Sequence, residues 1–212
     1  MKIVCRRRNA VPTAKLVKKL TLVLAALALP LCLTQSASAF IYSWTVNMSG
    51  PNESPANASP GIGSGLVSYD NILHTLTVGC SFSGLTGTTT ASHIHAATLV
   101  PFAGTAGVAT TTPTFAGFPL GATSGTYTNT LDLTLSSSWN SAYITANGGS
   151  TATAEVALFN AMQAGEAYWN IHSSTFGGGE IRGFLVAVPE PTALSLVGLA
   201  AVALVAARRK SR

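Results

Sequence analysis

Residues 40–187 predict a single all-β domain, an antiparallel β-sandwich or Greek-key barrel. Three observations carry this expectation. Short segments alternate apolar and polar residues with a period of two, as half-buried strands do. Clusters of Gly, Pro, Asn and Thr separate those segments. Only one stretch has helical spacing, and many short strands with few helices close into a sandwich or barrel. The span is long enough for one domain with a core of its own.

Taken in order, Ile41-Tyr42-Ser43-Trp44-Thr45-Val46 reads as the first strand. Gly65 to Tyr69 and Leu73 to Phe82 read as a hairpin turning at Asp70-Asn71. Ala91 to Leu99 is a further strand, and 103–123, full of Gly, Thr and Pro, is expected to be a long loop. Gly125 to Leu135 follows as a strand. In Thr151 to Ala164, Glu155, Phe159 and Met162 fall at helical spacing before Gly165 stops the helix. Ala167 to His172 and Glu180 to Ala187 complete the sheet. No internal repeat is evident.

The ends of the chain have a different character. Seven of the twelve basic residues lie between Lys2 and Lys19, ahead of the apolar run Leu20 to Leu33. Ala37-Ser38-Ala39 is an A-x-A cleavage site, so positions 1–39 read as an export signal removed after Ala39 by signal peptidase. Cys5 and Cys32 leave with it. Cys80 remains as a lone thiol that forms no internal disulfide and reads as a small buried apolar residue. Between Phe40 and Val188 one base, Arg182, stands against six acids, so the formal charge of +5 belongs to the ends. A domain without clustered Lys and Arg does not bind nucleic acid through phosphates.

At the other end, Pro189-Glu190-Pro191 precedes an apolar run from Ala193 to Ala207 and the basic cluster Arg208-Arg209-Lys210. The prolines keep the β-domain from continuing into a helix. The apolar run suits the inner membrane, and the basic end suits its cytoplasmic side. Positions 188–212 resemble the PEP-CTERM sorting signal. The resemblance implies cutting near the motif by a membrane-embedded exosortase. It also implies delivery to the envelope, outer surface or extracellular matrix of a Gram-negative bacterium that makes exopolysaccharide. Asn47, Asn52 and Asn57 lie in N-x-S sequons, which in a bacterium are ordinary polar loop residues.

The chemistry-bearing residues are the histidines. In Ser92-His93-Ile94-His95-Ala96, strand alternation puts both imidazoles on one face and Ile94 on the other, a spacing that suits two ligands of one metal ion. In Tyr168-Trp169-Asn170-Ile171-His172, the first, third and fifth side chains share a face. Gly177-Gly178-Gly179-Glu180-Ile181-Arg182-Gly183 then gives a glycine turn into a strand, with Glu180 and Arg182 on the same side, where they would form an ion pair. His74, beside a turn, is expected to face solvent. Structural histidines in a hydrogen-bonded network and metal-ligating histidines both remain open at this point.

The S-H-I-H-A segment together with Y-W-N-I-H-S and F-G-G-G-E-I-R-G resembles the CHRD domain, which is common in exported bacterial proteins. Gly177 stands where that pattern often has proline. A fainter similarity is to the copper-zinc superoxide dismutases, β-barrels with an H-x-H strand, a later lone histidine and an Arg in a final glycine-led strand. That resemblance implies a superoxide-dismutase-like fold, with His93, His95 and His172 as copper or zinc ligands and Arg182 as an anion guide. The sequence departs from it in two respects. His74 precedes the pair, so the bridging histidine has no counterpart, and the zinc loop is absent from 101–124. What remains is a three-histidine site with an open position.

Other chemistries find no support. There is no G-x-S-x-G elbow, no P-loop and no dinucleotide fingerprint, and Gly61 to Gly65 is a glycine-rich turn. The acids are too scattered to nominate a glycosidase pair. Two readings stand. One is a non-enzymatic structural or adhesive protein of the envelope or exopolysaccharide matrix. The other is a copper- or zinc-binding, superoxide-dismutase-like protein using His93, His95 and His172.

Overall fold

The computed structural model describes residues 40–189. The export signal, Glu190, Pro191 and the C-terminal apolar run lie outside the described residues. Eight strands form one antiparallel sheet: β1 (Ile41–Ser49), β2 (Ile62–Asp70), β3 (Thr75–Ser83), β4 (Thr89–His95), β5 (Gly125–Asp132), β6 (Tyr168–Ser173), β7 (Ile181–Phe184) and β8 (Val186–Ala187). The spatial order is β4-β6-β7-β1-β2-β3-β5, with β8 continuing along β1 beside Trp44 and Thr45. The sheet curls into a half-barrel, which bears out the all-β expectation. Among the described residues no helix is long and apolar enough to cross a membrane.

Alternation explains the inner face. Trp44, Val46 and Met48 of β1, Val67 and Tyr69 of β2, and Leu76, Val78, Cys80 and Phe82 of β3 all point inward and are buried. Ile94, Trp169, Ile171 and Ile181 extend the same core across β4, β6 and β7. Burial pushes the Cys80 thiol up to about 12, as for an inert core residue. On the outer face of β1, β2, β3 and β5 most alternate positions carry small polar side chains, as in the row Asn47–Ser64–Ser81–Thr126.

The open side between β4 and β5 is filled by segment 96–124 and two helices, α1 (Ser141–Ala146) and α2 (Thr151–Ala164). The bounds of α2 are those its spacing predicts. Ser150 caps it in a box with Thr153, and Gly165 ends it in the left-handed conformation at φ 73°. Phe159 of α2 meets Tyr42 edge-on at 4.8 Å, and the Trp44 indole N–H donates to Met162 O at 3.0 Å. Helix α1, capped by the Asn140 side chain, has no counterpart in the sequence reading, because six residues are too few to show a period.

The hairpin differs from its expected form. Its turn is Asn71–His74 rather than Asp70-Asn71, because the Asp70 carboxylate accepts from the Ile72 and Leu73 N–H groups at 2.8 and 2.9 Å. The expected last strand is two, β7 and β8, interrupted at Leu185, whose side chain is buried and whose N–H donates to Ala167 O. Asn47 is a strand residue on β1, not a loop residue.

Candidate metal centre

One half of the sheet buries both of its faces. Cross-strand pairing aligns His93 with Asn170 and Arg182, and His95 with Tyr168 and Phe184. Ser92, Ile94, Trp169 and Ile171, on the opposite side, join the core. Ser92 Oγ ties the two layers by accepting from the Trp169 indole N–H at 2.7 Å and donating to Asn170 O at 3.1 Å. The polar face would be open to water but for the long connection after β4. That connection has few ladder hydrogen bonds of its own, yet it is anchored at Ala109 N–H to Ile94 O and at Phe115 N–H to Ser92 O.

This cover orients the imidazoles. His93 Nδ1–H donates to Pro113 O at 3.0 Å, His95 Nδ1–H to Ala106 O at 2.8 Å, and His172 Nδ1–H to Gly177 O at 2.9 Å. A carbonyl oxygen only accepts, so each of these rings carries its proton on Nδ1 and presents a bare Nε2 lone pair. One ring nitrogen from each of the three lies within 4.8 Å of the others. The Nε2 atoms of His172 and His93 are 3.0 Å apart, and the buried Nε2 of His95 has no hydrogen-bond partner.

Electrostatics keeps the rings neutral. Burial, then the neighbouring His95 and His172, lower His93 to about 3. Burial lowers His95 to about 4, and burial also lowers His172. Three neutral donors with fixed tautomers could hold a metal ion, and their carbonyl partners orient the rings as an outer shell would. Two nitrogens on one ion at ~2.0–2.1 Å sit at most about 4.2 Å apart and about 3.4 Å apart in a tetrahedral set, so closing on a metal needs the widest pair to approach by roughly 0.6–1.4 Å.

Glu180 and Arg182 do not pair with each other. Glu180 lies just before β7, where Ser59 Oγ–H donates to it at 2.6 Å and the N–H groups of Thr86 and Gly87 donate as well. Burial opposes its charge, but these bonds and one with Ser173 outweigh it and hold the carboxyl below its ordinary range. Arg182 instead faces Glu53, Nε to Oε2 at 3.9 Å, and donates to Asn52 O and Gly104 O. Its guanidinium sits 4.7 Å over the Tyr168 ring, whose neighbour on the β4 side is His95, stacked at 4.6 Å and 5°. Tyr168 therefore lies between Arg182 and the His95 ring. His74 is half exposed, as expected at a turn, but its Nδ1 also meets the buried Glu155 carboxylate at 2.9 Å.

Sequence reasoning missed Glu53, whose distance along the chain gives no sign of its place beside Arg182. Burial raises its carboxyl to about 7, with Arg182 pulling partly the other way. Gly179 packs against this group. A Cβ there would come within 2.8 Å of Glu53 Oε1 and 2.6 Å of Asn170 Nδ2. Asn57 reaches across to donate to Gly179 O and Glu180 O at 3.2 and 3.1 Å, so one sequon asparagine is a structural brace.

The family model described as CHRD domain matches residues 44–185, from the first core tryptophan to the last core leucine. The chain belongs to the CHRD domain family. The histidine strand, the N-I-H strand and the glycine-led β7 all fall within that match. A second model, described as PEP-CTERM protein-sorting motif, matches residues 187–210. The CHRD domain is thus exported, processed by signal peptidase and exosortase, and destined for the envelope or extracellular surface of a bacterium. No curated protein and no solved structure matches the chain.

Proposed function

We propose that this CHRD domain is a metal-binding protein that holds copper or zinc on Nε2 of His93, His95 and His172, with one coordination position left open. The observation that carries the reading is the set of three Nδ1–H to carbonyl bonds, which point three lone pairs toward one another. A structural network would turn at least one ring to donate from Nε2. A 3.0 Å approach of two neutral acceptors is unfavourable unless a cation lies between them. Neutral imidazoles with no thiolate or carboxylate in the set suit copper or zinc.

Bound there, the metal would supply a Lewis acid, or a redox centre if it is copper, at an open position. Around it Tyr168 holds the His95 ring flat, Ala106, Pro113 and Gly177 fix the tautomers, and segment 96–124 limits water. Arg182 acts in this reading as a brace for the Gly104 and Asn52 backbone rather than as an anion guide. The mature protein is residues 40–187 with a short remnant of the tail. Its place is the exopolysaccharide-rich surface of a Gram-negative cell. A structural or adhesive role there has its own support in the rows of small polar side chains outside β1, β2, β3 and β5.

Metal analysis of the mature protein purified from the periplasm tests the proposal, beside a His93→Ala/His95→Ala variant. About one equivalent of copper or zinc in the parent, lost in the variant, is the expected result. No metal in either after copper and zinc are added would overturn it.

A further inference from the structure

We infer that the end of the domain carrying Phe40 and Val188 is a docking surface for the lipid bilayer that holds the C-terminal apolar run. This rests on reading that run as membrane-embedded. The end is built from three pieces held together. Phe40 N–H donates to the Asn71 side chain at 3.2 Å, Ile41 pairs with Asp70, and Val188 N–H donates to Ser43 O at 2.8 Å. The start of β1, the exit of the chain and the β2–β3 turn therefore form one surface.

That surface is apolar where a turn is ordinarily polar. Ile72 and Leu73 occupy the tip, where Gly, Asn, Asp or Ser is the usual choice. Leu73 is 68% exposed and Ile41 58%, and Phe40, Ile72 and Val188 are exposed around them. The conformation is fixed rather than loose, since Asp70 accepts from both tip N–H groups and His74, at φ 53°, is tied to Glu155. A grouped set of exposed apolar side chains on a soluble domain marks an interaction surface.

Chain length identifies the occupant. Four residues, 189–192, lie between Val188 and Ala193, where the apolar run begins, a five-step reach of at most about 18 Å. Whatever membrane takes up that run lies within contact distance of this end. No Lys or Arg lies between Phe40 and Leu73, and the Asp70 carboxylate is engaged with the turn. Docking is then by shallow apolar insertion and not by attraction to anionic lipid, so it is insensitive to salt. The histidine row lies across from Ser49, at the far end of β1, about 26 Å away at ~3.3 Å per residue. A docked domain holds its three histidines away from the bilayer.

The test uses the full chain in phosphatidylcholine vesicles with brominated acyl chains, which quench indoles at short range. The three described tryptophans, Trp44, Trp139 and Trp169, are buried and give a constant background. A Leu73→Trp variant is compared with Ser83→Trp at the opposite end and with Leu199→Trp inside the apolar run. Strong quenching at 199 and at 73, several-fold above that at 83 and unchanged by salt, is the expected result. Quenching at 199 with none at 73 overturns the docking surface alone. No quenching at 199 overturns the membrane reading of the tail and the docking with it. An indole at 73 that is shielded without vesicles, with a doubled mass, assigns the surface to a second copy and also overturns it.

Discussion

At the residue scale, the folded domain keeps three imidazoles neutral that the unfolded chain would protonate near 6.5. A base whose folded value is lowered takes up protons first in the unfolded state. The metal-free domain therefore holds its full histidine contribution above pH 6.5 and loses it as pH falls toward 3–4. Glu53 runs the opposite way. Its carboxyl is raised from 4.5 to about 7, so its contribution is complete below 4.5 and is lost as pH rises through 7. Thermal melts of metal-free protein between pH 4 and 8 should show stability rising to about 6.5, and rising more steeply in Glu53→Gln. A flat profile would contradict the neutral-ring assignment. Tyr168→Phe keeps the stack on His95 but removes the hydroxyl that accepts from Ala106 N–H at 3.2 Å, loosening the backbone that fixes the His95 tautomer. Metal titration of that variant should show affinity about tenfold weaker.

At the element scale, β7 is the tightest joint. Asn47 O lies 2.1 Å from where a Cβ on Gly183 would sit, so β1 and β7 approach as closely as they do only with glycine there. Gly183→Ala should destabilise the domain by about 1–3 kcal/mol or more in denaturant melts, while Ser150→Ala, which removes the α2 cap, should cost about 1 kcal/mol. The two positions also show what the sequence makes legible. Helix α2 could be read to the residue because its spacing and Gly165 stop are both local. The His93/His95 pair and the shared face of Tyr168, Asn170 and His172 follow from alternation within single strands. Joining β4 to β6, or Arg182 to Glu53, requires contacts between residues far apart in the chain, and no local period records them. The carbonyls of Ala106, Pro113 and Gly177 are invisible for another reason, since every residue type carries one.

At the scale of the whole molecule, a half-barrel has two edge strands, and β4 is one of them, covered by the segment that follows it. The histidine site therefore sits at the margin of the sheet and depends on segment 96–124 to hold it, where a closed barrel would brace it on both sides. Metal should then act as a clasp between that segment, β4 and β6. With free metal at one hundred times its dissociation constant, binding contributes about 2.7 kcal/mol, or roughly 5–10 °C in Tm for a chain of this size. A His172→Ala variant should show little of that shift. The CHRD match and the sorting motif together describe a domain destined for the cell envelope or extracellular surface.

Three Nε2 lone pairs converge because three Nδ1–H groups are held by carbonyls. Long-range nitrogen–proton NMR of the histidine rings, before and after one equivalent of zinc, reads this directly. Nδ1–H tautomers are expected for His93, His95 and His172 in the metal-free domain, with zinc shifting all three Nε2 resonances and leaving His74 unmoved. An Nε2–H tautomer at any of the three, or zinc shifts confined to His74, would contradict that convergence.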